Sequence, residues 1–277
     1  MIHVRVARRT FLVASLAAAA STVLYARFHE LNDVTVERLE LTLGSLGASF
    51  RVVHLSDLHL HGIGDREESA ISAVEEASPD LIVVTGDHVD SPDGREALRE
   101  FYSDLCGLGP VYVVLGNWDH WAAGRGGPTV DEIVQAIEGA GGRVLQNSGE
   151  SVELGGGSIW VAGVDDPHTG RDDARSALEG RSGSEDQPIL LLAHSPEIVN
   201  GLTGQERLVL CGHTHGGQVR LPLVGPLYVP SRLGRRYVSG LYRLGETLMY
   251  VNRGLGWSFA PLRLNCPPEV TVLDLHL

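Results

Sequence analysis

An α/β fold of two sheets packed face to face, with helices outside, is what this sequence predicts, and three observations predict it. Between residues 50 and 115, β-branched apolar runs alternate with helical stretches, the pattern of a parallel sheet with crossover helices. From residue 143 onward shorter apolar runs follow one another, some across glycine-rich turns, and they read as a second set of strands dominated by short hairpins. Five of the runs end at residues able to bind a ligand, and open α/β sheets gather their ligands at the carboxyl ends of strands.

The first 27 residues are a separate device. Arg8-Arg9-Thr10-Phe11-Leu12 leads into an apolar run from Phe11 to Leu24, and residues 1–27 hold four arginines and no acid. A positive flank before an apolar run reads as an export signal. The paired arginines resemble a twin-arginine signal, which implies the Tat translocase as a partner and a periplasmic or cell-wall location. The run is short of the ~20 apolar residues of a spanning helix; left uncleaved, it would hold the domain on the membrane, with the inner face as the alternative location. Residues 28–49 are expected to form a linker and first strand region, and residues 50–277 the folded domain.

In chain order, the run 50–56 is a strand ending at Asp57-Leu58-His59. Side chains two apart on extended backbone share a side, so a carboxylate and an imidazole can meet one ion. Asp65 is expected to cap a helix over 66–77. The continuous run 81–85 suits a strand covered on both faces and ends at Gly86-Asp87-His88, where Asp87 has one oxygen for each of two ions. His88 and Asp90 read as polar loop positions, with a role behind the ligands or facing the substrate as the alternative. A helix over 95–106 leads to the strand 111–115, which ends at Gly116-Asn117-Trp118-Asp119-His120. A helix over 131–139 and short strands at 143–145, 151–154 and 158–164 follow. The strand 188–193 delivers His194, and the strand 208–210 delivers Cys211-Gly212-His213-Thr214-His215-Gly216-Gly217, where two imidazoles one residue apart enter a glycine turn. Strands at 248–251 and 270–273 close the sheet. Residues 121–128, 165–187 and 218–240 are expected to be the loops that read the substrate.

Composition narrows the chemistry. Asp and Glu number 35 against 22 basic residues, which weighs against nucleic acid as a partner. Every one of those 22 is arginine, so Schiff-base chemistry and a P-loop lysine are excluded. Cys106, Cys211 and Cys266 are too few for a disulfide framework or a thiolate zinc site.

The ordered set D-x-H, G-D, G-N, H and G-H-T-H resembles the calcineurin-like metallophosphoesterase superfamily, over about residues 50–275. The resemblance implies a four-layer αββα sandwich of two mixed sheets and a dinuclear metal site. Asp57, His59, Asp87 and His215 would hold one divalent ion, and Asp87, Asn117, His194 and His213 the other. Imidazoles with carboxylates suit Mn, Fe, Zn or Co, with Mn the leading expectation. A hydroxide bridging two cations is a nucleophile at neutral pH and can attack phosphorus in line. One departure stands out: the family's histidine after the G-N asparagine is Trp118 here. His120 is therefore expected to serve as general acid, oriented by Asp119, and Arg253 to assist at the substrate. The export signal, the G-N-W-D form and Arg253-Gly254-Leu255-Gly256 with Pro267-Pro268-Glu269 look most like a membrane-associated phosphodiesterase branch, similar to UDP-2,3-diacylglucosamine hydrolase-like proteins of lipid A synthesis. A phosphodiesterase or pyrophosphohydrolase for a membrane-associated or nucleotide-lipid substrate is the expectation. That lipid faces the cytoplasm, which agrees with an uncleaved anchor and conflicts with translocation. Other phosphoesters, such as a cyclic nucleotide or a phosphoprotein, and a catalytically silent scaffold are the alternatives.

Overall fold

The computed structural model describes residues 2–44, 47–181 and 187–276. Residues 182–186 of the expected loop, residues 45–46 of the expected linker and the side chains of residues 1–10, Arg8 and Arg9 among them, lie outside the described parts. A long helix α1 (Ile2–Phe28) comes first, followed by β1 (Thr35–Thr42) and β2 (Ser49–Leu55). The βαβ run continues with α2 (Asp65–Ala77), β3 (Leu81–Thr85), α3 (Gly94–Gly107), β4 (Val111–Val114), the single turn α4 (Asn117–Trp121), α5 (Val130–Gly139) and β5 (Arg143–Val144). The second half holds β6 (Ser148–Leu154), β7 (Gly157–Gly163), the short α6 (Ala174–Ala177), β8 (Ile189–Leu192) and β9 (Leu208–Cys211). A small hairpin of β10 (Arg220–Leu221) and β11 (Gly225–Pro226) precedes β12 (Gly240–Leu244), β13 (Thr247–Val251) and β14 (Glu269–His276).

Two mixed six-stranded sheets result, ordered β1-β14-β2-β3-β4-β5 and β12-β13-β9-β8-β7-β6. Strand alternation sorts the side chains into layers. Phe50, Val52, Leu81 and Val83 point between the sheets and meet Leu190, Leu192, Leu208 and Leu210. Their neighbours Val53, Leu55, Ile82 and Val84 point the other way, onto α2, α3 and α5. Ile189, Leu191, Val209 and Cys211 cover the far face of the second sheet. Each such fully buried aliphatic side chain contributes roughly 1.5–3 kcal/mol. The far layer is thin, built from Ala174 and Ala177 of α6, Ile198 of a 3-10 turn (Pro196–Asn200) and Tyr237.

Two expectations change, on the second sheet and on the cap of α2. The second sheet is not dominated by hairpins: β7, β8, β9 and β13 run parallel, and antiparallel pairs occupy only its rims. Its central strands are apolar on both faces, which is the signature of covered parallel strands. Within the stretch 28–49, Thr35–Thr42 pairs with β14 as an edge strand. Asp65 lies inside α2; the cap is Gly64, whose N–H donates to Glu67 Oε2 at 3.2 Å.

Candidate metal centre

Three adjacent strands of the first sheet and two of the second end at one place. The loops leaving β2 and β3 are zipped together, with the N–H groups of Asp57 and His59 donating to the carbonyls of Gly86 and Asp87 at 3.0 and 2.9 Å. The two sheets are joined by side chains at the same level. His213 N–H donates to both oxygens of Asp57, at 3.0 and 2.9 Å, and His194 Nδ1 donates to Thr85 O at 2.8 Å. That last bond occupies Nδ1 and turns His194 Nε2 into the cluster, as the second nitrogen of a ligating histidine is turned toward its ion.

Asp57, His59, Asp87 and His215 bring one ligand atom each within 4.8 Å of one another, and so do Asp87, His194 and His213. Asp87 belongs to both groups. Its Oδ2 lies 3.2 Å from His194 Nε2 and 3.5 Å from His59 Nε2. Asn117 Oδ1 is 3.1 Å from His194 Nε2, and so is His213 Nδ1. All seven side chains are buried. His59 Nε2, His213 Nε2 and His215 Nδ1 have no hydrogen-bond partner. Buried polar atoms without partners cost free energy, so a donor set of this kind fits a divalent cation that would satisfy part of it.

The backbone pays for the arrangement locally. Asp57, His59, Asp87, His213 and His215 all adopt positive φ, between 42° and 70°. Non-glycine residues do so at a cost, and such strain concentrates at functional sites. Gly116 and Gly212 are required for a different reason: a Cβ on Gly116 would overlap Asp87 Oδ1, and one on Gly212 would overlap Ser56 and Asp57.

The buried charges of the cluster shift one another. Burial pushes His194 down, but Asp87 and Asp57 more than offset this and hold it well above its ordinary value. His59 is likewise pushed down by burial, yet raised overall to about 10 by the neighbouring carboxylates of Asp87 and Asp90. Asp87 is held well below the usual carboxylate range, burial being outweighed by His194 and His59. Asp57 is raised by burial, which the charge on His194 only partly offsets. His213 is lowered to about 3 by burial, and His215 is lowered by burial and by His59. His194 and His59 are thus pushed toward the protonated form, and His213 and His215 toward the neutral form that a metal requires.

Around the cluster, the structure places the remaining residues differently from expectation. Asp119 does not orient His120. Its carboxylate accepts the N–H groups of Asp87, His88 and Gly116 at 2.9, 2.8 and 2.8 Å, and so binds the turn after β3 to the turn after β4. His120 pairs instead with Asp165, Nε2 to Oδ1 at 2.6 Å. It follows Asn117 by three residues on α4, hence on the same face. Arg253 is not free for a phosphoryl group: its Nη2 donates to Glu37 and Thr35 at 2.9 and 3.0 Å, and its Nε lies 2.9 Å from Glu269. His88 is a buried brace between Val114 O and Tyr102. Asp90 accepts from His59 Nδ1 at 3.0 Å, the usual way a ligating histidine is oriented.

Sequence reasoning missed His168 and Glu197. Their ligand atoms and that of His213 lie within 4.8 Å of one another, and the rings of His168 and His213 are 4.5 Å apart. The strand-end rule applied to β7 would have pointed to the loop carrying His168, and Glu197 stands one turn beyond His194.

Converging buried carboxylates and imidazoles at the strand ends of two mixed sheets define a metal-dependent phosphoester hydrolase, and comparison with known proteins agrees. The chain belongs to the calcineurin-like phosphoesterase family, which residues 50–217 match. It is 34% identical to the uncharacterized metallophosphoesterase YkuE of Bacillus subtilis, over 98% of both chains. It is 33% identical to phosphodiesterase YaeI of Escherichia coli, over 98% of this chain and 99% of that one. The crystal structure of TT1561 of Thermus thermophilus has a similar fold, with a TM-score of 0.50 at 14% identity over 74% of this chain and 90% of that one.

Proposed function

We propose that the protein is a dinuclear metal-dependent phosphodiesterase for a membrane-associated phosphodiester or diphosphate, a nucleotide-lipid such as UDP-2,3-diacylglucosamine being the first candidate. The observation that carries the dinuclear reading is the membership of Asp87 in two ligand groups. Asp57, His59, Asp87 and His215 would hold one ion, and Asp87, Asn117, His194 and His213 the other, with manganese the leading candidate. Bound divalent ions supply an ionised water as nucleophile and neutralise phosphoryl oxygens. The chain's own residues do the rest. The buried walls exclude bulk water, Asp119 keeps the two asparagine- and aspartate-bearing turns in register, and His120 holds the proton for the leaving oxygen while Asp165 orients its ring. Support for a diester comes from the printed name of the E. coli relative. Support for a membrane location comes from α1: residues Phe11–Asn32 are long and apolar enough to cross a bilayer, with mean hydropathy 1.6 and 6% burial, a test that a cleavable signal also passes. Tat export of the chain and an inner-face anchor are the two arrangements this helix allows.

The test is hydrolysis of bis-p-nitrophenyl phosphate beside p-nitrophenyl phosphate, by protein stripped of metal and refilled separately with Mn, Zn, Fe and Mg. Metal-dependent turnover that prefers the diester is the expected outcome, lost in Asp87→Ala with the fold intact. Two bound equivalents without turnover of either ester would contradict it.

A further inference from the structure

Residues 218–245 carry five arginines and no acid, in a chain whose net charge is -13. The same stretch carries the most exposed apolar side chain among the described residues of the folded body. Leu223, at the tip of the β10–β11 hairpin, is fully exposed, and Val224, Leu227 and Tyr228 are more than half exposed. Leu223 also adopts φ 66°, a conformation that a branched apolar residue takes at a cost. Water gives no reason to hold leucine there. Arg232, Arg235 and Arg236, a few residues on, are exposed, and none makes an ion pair among the described residues. Arg235 is tied to the hairpin directly, Nη1 to Val224 O at 3.4 Å.

Behind the hairpin lies a cavity of about 240 Å³, walled largely by apolar atoms of Val219, Leu227, Tyr228, Phe259 and Leu262, with His215 in its lining. It therefore adjoins the candidate metal centre. The base of α1 arrives at the same place. Ala26 O accepts from Arg263 N–H at 3.0 Å, and Cys266, three residues on, reaches His215 O with its Sγ at 3.3 Å. Aromatic rings link the two regions: Phe259 stacks edge-on with both Trp118 and Tyr228, at 6.0 and 6.4 Å.

We propose that this face docks on an anionic phospholipid bilayer, with the hairpin tip inserted, the arginines on the head groups, and the cavity beside His215 receiving an acyl chain of the bound lipid. Exposed apolar and aromatic side chains rimmed by arginine are the composition of interfacial membrane contacts, and basic clusters read anionic head groups. The docking rests on the proposed phosphodiesterase activity only for its purpose, since insertion of the hairpin needs no hydrolysis.

The test uses the full chain in vesicles of phosphatidylcholine and phosphatidylglycerol at seven to three. A nitroxide is placed by Leu223→Cys in a Cys106→Ser background, because Cys211 and Cys266 are buried. The control label is Glu138→Cys on the exposed side of α5. Collisions with oxygen and with a water-soluble nickel chelate are compared. The expected result is a severalfold preference for oxygen at residue 223 and none at residue 138. In pure phosphatidylcholine, or with Arg232, Arg235 and Arg236 changed to Gln, the label at 223 should return toward the aqueous value. Equal chelate access at 223 and 138 would overturn the proposal. So would protection of 223 from both reagents, which would mean that a second copy covers the face. Unchanged depth in pure phosphatidylcholine would overturn the assignment to anionic lipid. Turnover of bis-p-nitrophenyl phosphate by the same labelled protein in detergent reports on the hydrolase separately: its loss with insertion intact would sink that activity and leave the docking standing.

Discussion

At the scale of single residues, the candidate centre is a set of charges arranged around Asp87. His59, raised to about 10, and His194, raised well above its ordinary value, are protonated at neutral pH in the metal-free protein. A metal can take an imidazole only in its neutral form, so loading the site must expel those protons, whereas Asp87 is already ionised and releases none. The sign follows. Metal affinity should rise with pH between about 6 and 9, and calorimetry in buffers of different ionisation enthalpy should register proton release on binding. In the stripped protein the stabilisation from protonated His59 is complete below its free value of about 6.5 and is lost as pH rises toward about 10. Proton uptake on metal binding would contradict the charge assignment. His120 carries a second expectation: His120→Ala should slow diesters of poorly leaving alcohols about 10²-fold or more, and p-nitrophenyl diesters little. Equal losses on both would remove its role as acid. At this scale the sequence was most legible where two ligand types stand two residues apart at a strand end. It was least legible for Asp119, Asp165 and Glu197, since a carboxylate's partner depends on which loops the fold brings beside it.

At the scale of elements, the strand ends decide the geometry. Each of the five crucial strands is buried toward its end and followed at once by a turn that only tight backbone contact can close. Gly116 shows the tightness, because the space for a Cβ is occupied by Asp87 Oδ1. Gly116→Ala should therefore displace Asp87, removing at least one bound metal equivalent and most of the diesterase activity. Gly156→Ala is the informative contrast. Unlike Gly116, which is extended, Gly156 has a positive φ, 87°, but nothing lies within 4 Å of the added carbon, so the change should lower stability modestly, by about 1 kcal/mol, without affecting metal content. Metal analysis of both purified variants distinguishes the outcomes. Helices were legible from their periodicity, and α2, α3 and α5 fall where the pattern put them. The parallel order of the second sheet was not, because a short apolar strand looks the same in either direction and only its burial on both faces tells.

At the scale of the whole molecule, the C-terminal segment closes the site from outside either sheet. Leu255 and Gly256 donate to Ser56 and Asp57 carbonyls at 2.9 and 2.7 Å. That loop is arranged by Arg263, fully buried, whose guanidinium donates to the carbonyls of Arg253, Gly254, Gly256 and Cys266. Burial lowers Arg263 to about 10, so it stays charged at neutral pH. Arg263→Leu would leave those carbonyls unsatisfied and should cost about 3 kcal/mol or more, read as a lower denaturation midpoint at an unchanged slope. An unchanged midpoint would show that the loop is held by other contacts. Nothing in the sequence marked Arg263, because its role depends on four carbonyls brought together by the fold. Charge, by contrast, was misleading as a total. The net acidity of the chain conceals a hairpin and loop that are wholly basic.

The central claim is that two ions share Asp87 at the meeting of five strand ends. The most direct measurement is anomalous scattering from crystals of the full chain loaded with manganese. The account predicts two peaks about 3.5–4 Å apart, one on either side of the Asp87 carboxylate. A single peak, or a second ion held by His168 and Glu197 away from Asp87, would contradict it.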